Sequence, residues 1–239
     1  MRGHRPRDKA TGQRLLSELG MTSDQEIVDC CENPDEQSAR QIKACLAAEH
    51  LGIRAAVPGL IRLLATDDIQ LLEAASRALW MIGSHRSTLR LVSLIRDSKR
   101  EDVRRCAVYA IGMLADRRAK QTLCHLLTDQ SESEGIRTLA AEALLGLRPR
   151  RETIRALIDA LRDPSPSVRY SALNTLGIVA KQDVARVIRE HLSDQTAVPG
   201  LPVEEGTVGR AAQSALDNLE RRRRSPSDTR ASGHARERS

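Results

Sequence analysis

The chain has 239 residues, 40% of them apolar, and a formal net charge of +6. Phenylalanine is absent and aromatics make up 1% of the residues, so any core has to be built from Ala, Leu, Ile and Val. No apolar run approaches the ~18–20 residues of a membrane span, and the charged N-terminus is followed by no hydrophobic stretch, which predicts no secretory signal and a cytoplasmic location.

The charge is unevenly placed. Residues 1–14 carry +4 and residues 220–239 carry +4, which leaves −2 on everything between. Residues 1–13 are expected to be a disordered basic N-terminus, and residues 220–239 a disordered Arg-rich tail. Such tails attract nucleic acid through charge alone. The tail has no interleaved aromatics for base stacking.

Residues 14–19 read as a short helix stopped by Gly20. Thr22 or Ser23 is placed to cap the next one, running to Cys31 with Asp24 and Glu26 in its first turn. Asn33 and Pro34 break it, and residues 35–50 form the next helix.

From there a repeat takes over, clearest in residues 102–115 (DVRRCAVYAIGMLA). Its first apolar residue, position 0, recurs as Leu71, Val103, Ile136, Val168 and Val208, with a weaker copy from Lys43. Position +4 is Ala in all five strong copies, and +7, +8 and +11 are small or aliphatic. These spacings lie on one stripe of an α-helix, here called helix B. Between copies lies a second apolar run, helix A, closed by Asp67, Asp97, Asp129, Asp163 or Asp194. A lone hairpin cannot bury its stripe, whereas a stack can. The predicted fold is all-α: a right-handed α-solenoid of about five to six helical hairpins over residues 14–219, with B helices starting near 43, 71, 103, 136, 168 and 208.

The segments VRRCAVYAIGML (103–114), IRTLAAEALLGL (136–147) and VRYSALNTLGIV (168–179) resemble the HEAT-repeat family. The match is to the short bacterial type also found in phycobilisome bilin lyases, and it covers residues 38–219. The resemblance implies a ladder of turn Asp and +1 Arg, matched by Asp97/Arg104, Asp129/Arg137 and Asp163/Arg169. Leu72 and Gly209 stand where the first and last Arg belong.

No catalytic or metal-binding constellation stands out, and no cofactor is expected. The cysteines Cys30, Cys31, Cys45, Cys106 and Cys124 form no CxxC or zinc spacing. Cys106 and Cys124 fall at core positions. His50 and His191 follow Glu49 and Glu190, the reverse of the His-Glu order that a HEAT-like diiron hydroxylase carries. No P-loop, nucleophile elbow or dinucleotide fingerprint occurs.

On a helical wheel, B-helix positions +2, +5, +6 and +9 point away from the core. In HEAT-type stacks this face lines the concave groove. All three aromatics fall there: Trp80, Tyr109 and Tyr170. Their neighbours are Glu73, Arg77, Arg105, Val108, Thr138, Glu142, Leu173 and Asn174. Trp, Tyr and Arg dominate interface hot spots, so Trp80, Tyr109, Tyr170, Arg77, Arg105, Glu73, Glu142 and Asn174 are the candidate partner-binding residues. The long last interval, residues 194–207, either caps the stack or docks a partner through Val198, Leu201 and Val203.

The expected function is a non-catalytic adaptor or scaffold that holds a protein partner, with no membrane association. A bilin lyase or isomerase subunit acting on a phycobiliprotein is the first alternative, with Arg77 and Arg105 on the propionates and Trp80 or Tyr109 stacked on a ring. A nucleic-acid-binding protein is the second, opposed by the −2 charge of the repeat region.

Overall fold

The computed structural model describes residues 8–82, 87–147, 150–202 and 206–224. Among them are thirteen α-helices, and the only extended pairing is a bridge between Ala197 and Thr207. The chain forms two compact units, Met1–Arg148 and Pro149–Ser239.

The first unit opens with α1 (Lys9–Leu19) and continues with four hairpins. These are α2 (Asp24–Glu32) with α3 (Ser38–Leu51), α4 (Val57–Leu63) with α5 (Ile69–Ile82), α6 (Thr88–Asp97) with α7 (Glu101–Leu114), and α8 (Lys120–Thr128) with α9 (Glu134–Ala143). The second helices stack side by side: α3 on α5, α5 on α7, and α7 on α9, with α1 covering the free side of α3. The second unit holds α10 (Arg151–Asp159) with α11 (Pro166–Val179), and α12 (Ala185–Arg189) with α13 (Val208–Arg224). There α11 packs on α13. Both units are thus built as an α-solenoid of repeated hairpins.

The core stripe explains why these helices stack. Positions 0, +4, +7, +8 and +11 are buried throughout α5, α7 and α13. Each Leu or Ile removed from water contributes about 1.5–3 kcal/mol, and the Ala positions let helix axes approach. Glycine sets the closest approach. A Cβ on Gly112 would lie 2.7 Å from Ala143 Cβ, and one on Gly177 would lie 2.6 Å from Ala215 Cα. In both cases +9 of one B helix meets +7 of the next.

Capping follows the sequence. Asp8 accepts from the N–H groups of Ala10 and Thr11 (3.1 and 3.2 Å) and starts α1 at Lys9, so residues 9–13 are helical instead of disordered. Ser23 caps α2, while Glu26 accepts from Thr22 N–H at 2.8 Å. Asp68 accepts from Gln70 and Leu71 at the start of α5. Helix α13 runs past Leu219 to Arg224. Its Arg222 donates to the last-turn carbonyls of α11, Gly177 O at 2.6 Å and Ile178 O. The beginning of the basic tail is therefore a structural element.

The +1 position does a job different from the expected ladder. Its side chain donates to backbone carbonyls at the end of its own A helix or in the following turn. Arg104 donates to Ile95 O at 2.8 Å, Arg137 to Glu132 O, and Arg169 to Asp163 O at 2.8 Å and Pro164 O at 3.1 Å. The carboxylates these arginines meet belong to the following repeat: Glu132 for Arg104, and Asp194 for Arg169 at 3.1 Å. Asp97 instead pairs with Arg96.

The same rule re-registers the first repeat. Gln41 donates to Cys30 O and Asn33 O, as the +1 arginines do to their own turns, so position 0 of α3 is Arg40 and not Lys43. The two departures also make sense. Leu72 cannot donate, and Arg100 reaches Thr66 O at 2.6 Å in its place. At Gly209 a Cβ would lie 2.6 Å from Leu192 O, and its own N–H bonds Asp194 O at 2.7 Å.

Candidate functional site

Helix meshing decides which wheel positions reach solvent. Positions +1, +5 and +9 form one i+4 ridge on the side facing the next B helix. Position +5 is accordingly buried in α5, α7 and α11: Ser76, Val108 and Leu173. This corrects the expectation that Val108 and Leu173 face outward. The open ridge is +2 and +6, with position −2 at its start and +9 along its edge; +10 is exposed in α7 at Met113 and buried in α5 at Met81.

In the first unit this ridge exposes Glu73 and Arg77 on α5; Glu101, Arg105, Tyr109 and Met113 on α7; and Glu134 and Glu142 on α9. Leu145, in the 3-10 turn that follows α9, is also exposed, and Thr138 is half-buried. Tyr109 keeps 44%, Met113 38% and Leu145 43% of its surface exposed, on a protein whose other aliphatic residues are mostly buried. Trp80 is half-buried. It occupies +9, the position filled by Gly112 in α7 and by Glu49 in the re-registered α3. Those two residues meet +7 and +6 of the next helix, so the register places Trp80 beside the Tyr109–Ala110 stretch of α7.

Charge on the face is unequal. Arg77 Nε lies 2.8 Å from Oε2 of Glu49, a carboxylate that α3 buries almost completely. Arg77 is therefore engaged in holding α5 to α3. Arg105 makes no ion pair among the described residues. A Cβ on Gly135 would lie 3.8 Å from Glu101 Oε1 and 3.9 Å from Arg105 Nε, so both side chains run beside the start of α9. Glu101 Oε1 accepts from Ser133 Oγ at 2.7 Å.

In the second unit Tyr170 and Asn174 are half-buried on α11, at +2 and +6. The long interval closes on itself. Val198 N–H donates to Gly206 O at 2.7 Å, and Leu201 N–H donates to Val198 O. This turns Val198 inward, where it is buried, and leaves Leu201 exposed. Val198 is thus a packing residue and not a docking contact; Val203 lies outside the described residues.

The thiols are quiet. Cys30, Cys31 and Cys45 are free and buried. Burial, with Cys31 and Glu36 nearby, pushes the Cys30 thiol up to about 11. A hydrogen bond with Cys31, then burial, raises Cys45. Cys106 and Cys124 are only partly buried, not core residues.

Sequence reasoning missed Met113, Leu145, Glu101 and Glu134. Leu145 sits at the same +9 as Trp80, so repeat alignment alone pointed to it. Met113 at +10 needed the tertiary structure, because the equivalent Met81 of α5 is buried.

A family model for HEAT repeats matches residues 25–112, 58–145 and 130–198. No curated protein matches the chain. Among solved structures, the chain is similar to the CpcE and CpcF complex of phycocyanin lyase from Nostoc sp. PCC7120, with 19% identity and a TM-score of 0.54. That match covers 70% of this chain and 98% of the other. It is also similar to a designed armadillo repeat protein in complex with the peptide (KR)4, at 21% identity and a TM-score of 0.53, over 83% of this chain and 100% of the other. An engineered protein matches at 19% identity and a TM-score of 0.51, over 84% and 98%.

Proposed function

Because the chain belongs to the HEAT-repeat family, we propose that its first unit is a non-catalytic scaffold that captures a segment of a partner protein across the exposed face of α5, α7 and α9. The observation that carries this reading is the cluster of Tyr109, Met113 and Leu145, each exposed on that face, beside half-buried Trp80. Exposed aromatic and aliphatic side chains gathered on one face mark interaction sites. A pre-stacked layer of helices presents them with little ordering cost on binding.

Neither alternative is favoured by an observation of this kind. A bilin would need the guanidinium of Arg77, which Glu49 already occupies. A phosphate backbone needs a basic surface, and this face is dominated by carboxylates.

The test is site-specific photo-crosslinking with a benzophenone side chain at position 109 in the native host, alongside Trp80→Ala/Tyr109→Ala affinity capture. A discrete protein adduct, and a partner lost from the double variant with helicity unchanged, is the expected result. No adduct and identical capture would remove the scaffold reading.

A further inference from the structure

Counted from position 0 of the preceding B helix, position +17 falls in the first turn of every A helix from α4 onward. It is buried each time: Val57, Thr88, Lys120, Thr153 and Ala185. Four of these side chains are aliphatic or carry a hydroxyl. The one in α8 is a lysine that keeps 6% of its surface. Thr88 shows how a polar group is satisfied at this position, its hydroxyl donating to Asp116 Oδ2 at 2.8 Å. Lys120 has no ion-pair or hydrogen-bond partner among the described residues. A charge held in the protein without a counter-charge costs free energy that Val or Thr would not.

The ammonium is nonetheless open. Among the described residues, the sealed side-chain polar atoms that lack a partner are those of Thr138, Thr153 and Ser165. The surface that Lys120 keeps therefore includes Nζ: the stem packs and the head emerges. Arg117 stands beside it. Arg117 begins the 3-10 turn Arg117–Ala119 that leads into α8, and in that geometry residues three apart eclipse one another. It is exposed, and it too has no partner among the described residues. The nearby acid, Asp116, is 7% exposed and already meets Arg118 and Thr88. Residues 116–120 thus hold three cations and one carboxylate, at the positive end of the α8 dipole. The start of α6, tied to this turn through Thr88, adds exposed Arg90 and no carboxylate.

Independently of the scaffold reading, we propose that the turn between α7 and α8 binds a phosphate group, with the Lys120 ammonium and the Arg117 guanidinium on its oxygens. The two uncompensated cations match the charge of a phosphate, about −1.5 to −2 at neutral pH. A guanidinium presents paired N–H donors to two of its oxygens, and the start of a helix favours an anion. The bound group gives Lys120 what Asp116 gives Thr88. Inorganic phosphate and a phosphomonoester share this chemistry.

The first repeat supplies an internal control. Arg54 occupies the same +14 position as Arg117 and is exposed without a partner among the described residues, but Val57 fills +17. That turn has half of the site. It also shows that the buried position accepts an aliphatic side chain, so Lys120→Met keeps the fold.

The full chain is titrated by calorimetry at low salt with inorganic phosphate and with glycerol 3-phosphate. Saturable binding at a single site is expected. Lys120→Met should weaken it about tenfold or more and Arg117→Ala by a smaller factor, whereas Arg54→Ala should leave it unchanged. Phosphate should raise the urea midpoint of the unaltered chain and not that of Lys120→Met. Without phosphate, Lys120→Met should unfold at an equal or higher midpoint than the unaltered chain. Tighter binding of glycerol 3-phosphate assigns the site to a phosphomonoester, and equal or weaker binding assigns it to free phosphate. No binding of either, or equal losses from Lys120→Met and Arg54→Ala, overturns the site. A lower midpoint for Lys120→Met without phosphate also overturns it, because Lys120 would then be satisfied within the fold.

Discussion

Arg77 on α5 reaches back to Glu49 on α3, with 2.8 Å between Nε and Oε2. Glu49 is 6% exposed, so its carboxylate is largely cut off from water and meets Arg77 instead. The pair ties two neighbouring B helices together and takes one arginine out of the binding face.

Breaking that pair is expected to destabilise the fold. Arg77→Met strands a buried carboxylate, a loss of several kcal/mol for fully buried pairs; half the Arg77 side chain faces solvent, so about 1–3 kcal/mol is expected here. Glu49→Gln/Arg77→Met should recover most of it. Arg105→Met should cost under about 0.5 kcal/mol. Urea denaturation of the four proteins checks the ranking. Equal losses for Arg77 and Arg105 would contradict it.

The glycines at +9 make an opposite-sign test. By helix propensity alone, Gly→Ala gains about 1 kcal/mol. At Gly112 and Gly177, the new Cβ would instead meet Ala143 Cβ at 2.7 Å and Ala215 Cα at 2.6 Å. Net losses of about 1–3 kcal/mol are expected from overpacking, read as a lower midpoint in thermal unfolding. A gain at either site would mean the helices can part without cost.

Ala115 ends α7 in the left-handed region, at φ 51°. An L-residue there costs about 1–2 kcal/mol relative to glycine. Ala115→Gly is therefore expected to raise stability by about 1 kcal/mol, measured by the same denaturation. No gain would show that the Ala115 methyl, 3.2 Å from a Cβ built on Gly146, is worth as much as the strain.

Asp116 gives the fold an acid limit. Burial alone would raise its pKa, but hydrogen bonds from the Arg118 side chain, Arg118 N–H and Thr88 outweigh it and hold the carboxyl below the usual range. A depressed folded pKa contributes stability that is fully present above the unfolded value near 4, and lost as pH falls through the folded value. Asp116→Asn should lower stability by about 1–3 kcal/mol at neutral pH and flatten the pH dependence below about pH 4. An unchanged acid profile would exclude Asp116 as a contributor.

Arg222 closes the second unit. Arg222→Ala frees the carbonyls of Gly177 and Ile178 and should cost about 1 kcal/mol. Arg223→Ala, with no bonded partner among the described residues, should be neutral. Equal effects would mean that the arginine run acts through charge and not through this cap.

Much of the architecture was legible because a helical stripe is local. The spacing 0, 4, 7, 8, 11 is set by 3.6 residues per turn and needs no knowledge of neighbours. It located the later B helices and their buried faces, but not the caps at Asp8, Asp68 and Ser133, which lie outside the turn residues it marked. The first repeat was misread by three residues because its position 0 is Arg40, which an apolar template passes over. The expected Asp–Arg ladder failed in detail because the sequence names two charges but not which repeat each one faces.

The amino-acid sequence by itself determined a stack of helical hairpins with an Ala- and Leu-filled core, and placed Trp80, Tyr109 and the Glu residues off that core. Only the tertiary structure decided which off-core positions remain open. The ridge at +1, +5 and +9 is covered by the next B helix, which buries Val108 and Leu173, half-covers Trp80 and leaves +2 and +6 the more open positions. It also decided that Arg77 serves Glu49 while Arg105 stays open. The physical reason is that helix periodicity depends on one segment's backbone, whereas exposure and ion pairing depend on how far a second helix advances over the first. That advance is set by single residues at the contact, here Gly112 and Gly177.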